Sequence, residues 1–400
     1  MAPQSRPDDP VQPPPPKAQG STKTTTTRVL IIGAGFAGLT AAIECVRHGH
    51  APVTLLEAFP RPTTNLVGDI ISFGHNAGRV FRRWPGVEAT LDPICHRSKE
   101  LVFNRYDGEH LMTQTWEEGA LEEKGGKKFN GHRGEIHRVE DKPKSSGYAI
   151  WRAWFPSDEL AKDPLTRHLV VDGDTHTGWL GPDIHFLAAS IKNGTSFSWV
   201  CTHKDTADVA ESWSAPGSVD DALALLSDWS PTVRAIVRHT PSDRLVDWKL
   251  VYRDPLPTWV SPGRRIALIG DAAHPFLPTS IQGASQAVED GVTVAVCLEL
   301  ATSGSGEGKK GDVREALLAY ERMRYERVRK AQKTGETTRD RWHKADFDKV
   351  KEQPEAVKLP REEWLLGHDA EAHAYAVYGE TVERIRKEEA KGVPDVTSLL

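Results

Sequence analysis

A short apolar run, Val29–Ile32, stops at Gly33-Ala34-Gly35-Phe36-Ala37-Gly38, and from Leu39 the apolar residues Ala42, Ile43 and Val46 recur at helical spacing. The three glycines do separate jobs. Gly33 allows a tight turn, Gly35 lets backbone come close to a bound group, and Gly38 lets the helix pack tightly on the strand. Exposed N–H groups at the positive end of that helix suit a diphosphate. A second apolar run, Val53–Leu56, ends at Glu57, 19 residues past Gly38. A carboxylate there would accept hydrogen bonds from ribose hydroxyls, so the unit reads as a dinucleotide-binding βαβ.

A second stretch with chemical content follows Ile266–Ile269, which reads as a fully buried strand. It runs Gly270-Asp271-Ala272-Ala273-His274-Pro275 and continues through Gln282-Gly283-Ala284, Gln286, Glu289 and Asp290. Asp271 at a strand end would bind a ribityl hydroxyl. Gly283, with Ala284, leaves room for a flat ring at the start of a helix expected over Gln282–Ala301, whose N-terminus would stabilise negative charge on a reduced flavin. This stretch closely resembles the "GDAAHP…QGA.QA.ED" segment of the FAD-dependent monooxygenases of the salicylate-hydroxylase-like group, frequent in fungal secondary metabolism.

The resemblance runs from Arg28 to about Tyr378. It implies an α/β fold: a glutathione-reductase-like FAD-binding Rossmann domain built from both chain ends, an inserted mixed-sheet substrate domain, and C-terminal helices. It also implies FAD as cofactor, NAD(P)H as co-substrate, and hydroxylation by O₂ of an aromatic or polyketide-type small molecule. Val67-Gly68-Asp69-Ile70 and Asn76 look like the family's stretch after the ribose carboxylate, which adds Asp69 to the cofactor set. His132-Arg133-Gly134-Glu135-Ile136-His137 looks like its "HR..LH" helix start, whose arginine, here Arg133, contacts FAD. Gly147-Tyr148-Ala149-Ile150-Trp151-Arg152 resembles the entry to the substrate domain, where the arginine, here Arg152, is an active-site residue in some members. A tyrosine assists that arginine in some members; Ala189 stands near its place here. Trp364–Glu371 is also typical of the group.

One family motif is lacking. A strand ending in Asp-Gly, which touches both FAD and the pyridine nucleotide, should lie between Arg133 and Arg152. The 18 residues Gly134–Trp151 hold neither an apolar strand nor that pair. An inner strand of the sheet is therefore expected to be absent, at a cost of about 1–3 kcal/mol for each buried backbone group left unpaired. The gap bears on hydride delivery and leaves the Gly33–Gly38 grip intact. Two readings other than hydroxylation stay open: a flavoprotein with oxidase or cyclisation chemistry, and a non-catalytic remnant of the family.

The elements that must position these groups are legible in outline. Residues 1–27 hold seven of the 27 prolines and the run Thr24–Thr27, and read as a disordered leader. Residues 28–140 are expected to give the first part of the FAD domain, 146–260 the substrate domain, 264–345 the second FAD part and 346–400 a helical tail. A helix is expected between Leu66 and Trp84, and paired strands over 100–116 around Asp107-Gly108. Eight of the 12 tryptophans fall in Tyr148–Trp259 and read mostly as sheet core. There His185 reads as a satisfied sheet residue or a pocket residue, and His274 as structural. A helix from Val313 carries an arginine-rich face that reads as solvated.

Charge and cysteine usage exclude other classes. The net charge of −5, from 51 basic and 56 acidic residues, gives no pull toward nucleic acid or anionic membrane. The longest early uncharged run, Val29–Ile43, is too short for a membrane span. Cys45, Cys95, Cys201 and Cys297 are scattered, which argues against a disulfide scaffold or a zinc site and for a reducing, cytoplasmic setting. The expected partners are the small-molecule substrate and O₂, with the chain a monomer or homodimer.

Overall fold

The structure is a computed structural model that describes residues 27–58, 70–116, 125–132, 144–204, 215–252, 254–302, 312–350 and 352–391. The leader up to residue 26, Asp69, Arg133 and residues 303–311 lie outside the described residues.

The first unit forms as the glycine spacing dictates: β1 (Val29–Ile32), α1 (Phe36–Arg47) and β2 (Val53–Leu56), with the two strands parallel from Val29↔Val53 to Ile32↔Leu56. Next come β3 (Ile70–Phe73), α2 (His75–Phe81), α3 (Val87–Leu91), β4 (Glu100–Arg105), β5 (His110–Thr115) and β6 (Phe129–His132). Where the periodicity suggested one helix between Leu66 and Trp84, the chain makes a strand and then a helix. The reason is non-local: β3 pairs antiparallel with β6, which lies more than fifty positions on, and Phe73 and Phe129 pack with Phe81 in one buried cluster.

The central body is an eight-stranded mixed sheet. After β7 (Lys144–Pro156) and α4 (Asp158–Lys162) the chain adds β8 (His176–Gly181), β9 (Ile184–Ile191), β10 (Ser196–Lys204), β11 (Ala215–Pro216), α5 (Val219–Leu225), α6 (Pro231–Arg238) and β12 (Leu245–Tyr252). The strand order is β11-β12-β7-β10-β9-β8-β4-β5, with β4 and β8 parallel and the other pairs antiparallel. The hairpin expected around Asp107-Gly108 thus forms, and it docks on the sheet built by 144–252.

Alternation along the strands gives this sheet two unlike faces. One carries Trp151, Phe155, Trp179, Phe186, Phe197 and Trp199 and is covered by Leu160 of α4, Ala222 of α5 and Val233, Ile236 and Val237 of α6. Full burial of each such side chain contributes about 1.5–3 kcal/mol, so this layer dominates the stability of the region. The other face holds a row that crosses seven strands in register: Val246, Arg152, Val200, Leu187, Gly178, Phe103 and Met112.

The C-terminal part supplies α7 (Gly283–Thr302), α8 (Val313–His343), α9 (Glu363–Leu366) and α10 (Ala370–Ala390). Asp312 and Asp369 cap α8 and α10 by accepting from Arg314 N (2.9 Å) and Ala372 N (3.1 Å). Helix α7 is buried almost throughout and packs against α1, α8 and α10. The four cysteines are all buried. Among the described residues, no helix is long and apolar enough to cross a membrane.

The expected strand Ile266–Ile269 does not join a sheet. It makes one antiparallel bridge, Ala267 to Val260, and Leu268 N donates to Trp259 O at 2.8 Å. Among the described residues β1 pairs with β2 alone, so nothing in register is offered to this segment. The same shortage leaves apolar side chains in solvent: Ile32 is 82% exposed, Ile266 66%, Leu30 61% and Leu56 50%. Ile31, on the opposite face of β1, is 7% exposed and packs toward α1 and α7. The two neighbours therefore respond oppositely to charge. Ile32→Glu is expected to change unfolding free energy by no more than about 0.5 kcal/mol and to lower binding of an apolar dye, whereas Ile31→Glu should destabilise by about 3 kcal/mol or more; urea unfolding of both variants checks this.

Candidate active site

The glycine loop is shaped by contacts that a side chain would block. Gly33 has φ +93°, and a Cβ on Gly38 would stand 2.0 Å from Gly33 O, so the turn and the start of α1 interlock only with glycine at both places. Gly35 is the N-cap of α1; no side chain caps that helix and no acidic residue sits in its first turn. Its positive end is thus available to an anion. Glu57 is exposed beyond β2, and its Oε2 accepts from Ala34 N at 2.7 Å, which holds the carboxylate against the loop.

The second stretch folds back to this place. Gly270 has φ +60°, and a Cβ there would approach Ala37 Cβ to 2.9 Å. The turn Gly270–Ala272, with Asp271 exposed on it, thus lies beside the opening turn of α1. Gly283 opens α7, and a Cβ on it would meet Phe276 Cβ at 3.1 Å. Gly74 N donates to Ser285 Oγ at 3.0 Å, which ties the start of α2 to the same helix start. Two glycine turns, an uncapped helix start, Glu57 and Asp271 therefore share one region.

A buried ion network fixes that region. Asp290 accepts from Gly270 N (2.8 Å), His274 Nε2 (2.6 Å) and Arg324 Nε (2.8 Å). Glu289 accepts from Asn76 Nδ2 (2.6 Å), from Arg327 Nε (2.7 Å) and Nη2 (2.8 Å), and from Arg324. Arg327 also donates to the carbonyls of Trp364 (2.6 Å) and Leu365 (3.0 Å). Burial pushes the Glu289 carboxyl up, but Arg327 and Arg324 outweigh it and hold the group well below the usual carboxylate range. Burial opposes ionisation of Asp290 as well, and His274 and Arg324 overcome it. His274 thus proves to be a structural ligand of Asp290, as the sequence suggested. The arginine-rich outer face of α8 is exposed at Arg314, Arg322, Arg329 and Arg341, but Arg324, 2% exposed, points inward. The signal for it was present, since two adjacent carboxylates inside an apolar helix require cations.

The far wall is the sheet. Ile281, at φ +54° between the two halves of the second stretch, packs against the buried cluster that holds Phe103 and Leu180. The row that contains Arg152 therefore belongs to the sheet face turned toward the Pro275–Gly283 loop. Arg152 is 4% exposed. Ala189, where some members of the resembled family have a tyrosine, is buried. His185 is satisfied: Nδ1 lies 2.8 Å from His343 Nε2, and Nε2 lies 3.0 Å from Thr202 Oγ1. Ser198, one row from Arg152 on the same face, is 1% exposed, and its hydroxyl has no hydrogen-bond partner among the described residues. The sequence reading missed it.

Comparison with known proteins bears on what this arrangement holds. The family described as an FAD binding domain matches residues 28–67. Asperlicin C monooxygenase of Petromyces alliaceus is 30% identical over 431 aligned positions, which cover 90% of each chain. The chain belongs to the FAD-dependent monooxygenases. FAD-dependent monooxygenase fmqB of Aspergillus fumigatus is 36% identical over 266 residues, and that match spans 62% of each chain. A crystal structure of CtdE with FAD and a substrate superposes with a TM-score of 0.78 at 30% identity, over 90% of this chain and 99% of that one. A salicylate hydroxylase substrate complex, at 20% identity and a TM-score of 0.67, shares the fold.

This flavoprotein thus has the Rossmann-type α/β architecture that the sequence implied, and the residues present fit the cofactor. The glycine turn at Gly33, the uncapped start of α1 and the carboxylate of Glu57 suit a dinucleotide's diphosphate and ribose. When bound, FAD supplies the hydride acceptance and oxygen chemistry, while the chain binds it, orients it and limits water around it. Two expectations follow. Gly35→Val and Gly38→Val should each abolish FAD retention, read from the visible absorbance after gel filtration. Glu289→Gln leaves two arginines short of a buried anion and should cost about 3–5 kcal/mol. Because the folded carboxyl is depressed, its stabilisation is present above about pH 4 and lost as pH falls below it, so acid unfolding should be steeper in the wild type than in Glu289→Gln.

Proposed function

We propose that this monooxygenase hydroxylates a flat aromatic or polyketide-type small molecule of secondary metabolism in the cytoplasm, using FAD, NAD(P)H and O₂. In this reading Gly33, Gly35, Gly38, Glu57, Asp69, Arg133, Asp271, Gly283 and Ala284 hold FAD, and Arg152 binds the substrate. One observation carries it: the only arginine on the sheet row facing the Pro275–Gly283 loop, among the described residues, is buried between Val246 and Val200. A guanidinium has five donors and can give some of them to a phenolate, enolate or carboxylate, while Val200, Val246 and Leu187 give a flat ring an apolar bed. The free Ser198 hydroxyl offers a second polar contact. Ala189 leaves the phenol-assisted deprotonation of some relatives without its tyrosine, so this reading favours substrates that arrive ionised. The name Asperlicin C monooxygenase supports a small-molecule substrate.

The test is turnover of candidate phenols and enols under ¹⁸O₂, with NADPH consumption and product mass followed together. Incorporation of one labelled oxygen is the expected result; consumption of O₂ with an unlabelled product would favour the oxidase or cyclisation reading. Arg152→Ala should lower kcat/KM about 10- to 150-fold, the loss of one charged hydrogen bond, while FAD retention is unchanged.

A further inference from the structure

Beside the row that carries Arg152, a second row on the same sheet face runs Trp154, Ser198, Ala189 and His176 across β7, β10, β9 and β8. Its centre is low. Ser198 and Ala189 are small and almost wholly covered, whereas Trp154 and His176 at the ends, and Val200 and Leu187 in the Arg152 row, are half-buried. Large side chains that stay partly open around a floor of small, sealed ones outline a hollow in the sheet. Ser198 and His176 flank Ala189 from the two neighbouring strands, about 10 Å apart at the backbone.

The walls of this hollow hold hydrogen-bonding groups with nothing to bond. The Ser198 hydroxyl, His176 Nδ1 and Trp116 Nε1 are buried atoms without a hydrogen-bond partner among the described residues. Trp116 follows β5, and its ring centre lies 6.4 Å from that of His176. Burial first, and then His96 and Lys128, push the His176 pKa well below the ordinary histidine range, so the ring is neutral. A buried polar group left unbonded costs stability, and three around one hollow call for a ligand. All three are uncharged, which separates this place from Arg152. A serine hydroxyl and a neutral imidazole can each donate one hydrogen, and an indole N–H does nothing else. A carbonyl oxygen accepts from any of them and brings no charge into the sheet.

We propose that the hollow over Ala189 is a second polar subsite of the substrate pocket and takes a ring carbonyl, with Ser198, His176 and Trp116 as the donors that select it. The proposal rests on reading the Arg152 row as the substrate bed. It sets the acidic hydroxyl and the carbonyl at opposite ends of one flat molecule. It also gives the alanine at position 189 a consequence, because the room that a tyrosine ring would fill there is left to the substrate.

Calorimetric titration of the full FAD-loaded chain with two probes tests it: 7-hydroxycoumarin, a phenol at one end and a lactone carbonyl at the other, and 2-naphthol, which has the phenol alone. Ser198→Ala, His176→Phe and Trp116→Phe should each weaken 7-hydroxycoumarin about three- to tenfold, the loss of one neutral hydrogen bond, and leave 2-naphthol nearly unchanged. Thermal unfolding of the same samples gives a second readout. Because its hydroxyl has no partner, Ser198→Ala should keep or raise the melting temperature, whereas a structural serine would lower it. Equal losses for both probes, no loss of 7-hydroxycoumarin in any of the three variants, or a lower melting temperature for Ser198→Ala would overturn the subsite. Arg152→Ala separates the subsite from the bed. Weakening of both probes there, with no change in the three variants, counts against the subsite alone. Neither probe binding the wild type, or both binding Arg152→Ala as tightly, counts against the bed and the subsite with it.

Discussion

Two adjacent carboxylates inside α7, Glu289 and Asp290, are the constraint on which the rest of the molecule is hung. Both are fully buried; Glu289 stays ionised through Arg327 and Arg324, and Asp290 through His274 and Arg324. Such an ensemble is a poor source of net stability, because desolvation consumes most of the Coulombic gain. What it supplies is position. Asp290 sets the Gly270 turn and His274; Glu289 sets Asn76 after β3; Arg327 sets the carbonyls of α9. Four chain segments that share no sequence neighbourhood are thereby registered to one helix.

Helix α8 then carries that registration across the molecule. Tyr320 OH donates to Leu268 O near its start, Arg324 and Arg327 meet the carboxylates one turn on, Gln332 reaches Pro275 O, and Gly335 abuts Ser280. At its end His343 pairs with His185 of β9, and Trp342 packs edge-on against Phe103 and His185. One rigid element of 31 residues thus touches the flavin-side loop along its middle and the sheet at its end. The spacing between the Arg152 face and the Pro275–Gly283 loop is set by helix length and not by loops, which is how a site that needs sub-ångström placement is best built.

Much of this was legible in the residues. Val29–Ile32, Gly33–Gly38 and Glu57 announce a βαβ unit because local geometry alone demands glycine at those places, and the hairpin at Asp107-Gly108 announces itself for the same reason. What was not legible is non-local. Ile70–Phe73 has a helix-compatible pattern and becomes a strand only because β6 arrives beside it; Ile266–Ile269 has a strand pattern and keeps to its one bridge with Val260 because, among the described residues, no strand arrives beside it. Arg324 looked like one more arginine on a charged helix, since a single sequence does not show which of several cations faces a buried anion. Ser198 is silent in sequence for a similar reason, as its importance lies in a partner it lacks.

The uncovered face of β1 and β2 ties these threads together. A strand that feeds a G-x-G-x-x-G turn ordinarily lies deep inside its domain, yet Leu30 and Ile32 are mostly exposed, and Ile266 with them. Burying three aliphatic side chains of this size would contribute about 1.5–3 kcal/mol each, so the exposure forgoes stability on the order of a whole domain's margin. The 431 positions aligned with Asperlicin C monooxygenase exceed the 400 residues of this chain, so that relative carries stretches with no counterpart here. We propose that an absent strand-rich stretch links the bare face, the single strand at 266–269 and the Asp-Gly pair that the sequence lacks between Arg133 and Arg152. The turns at Gly33 and Gly270 are held without it, by α1, α7 and the buried ion network, so its loss falls on whatever that stretch would have positioned.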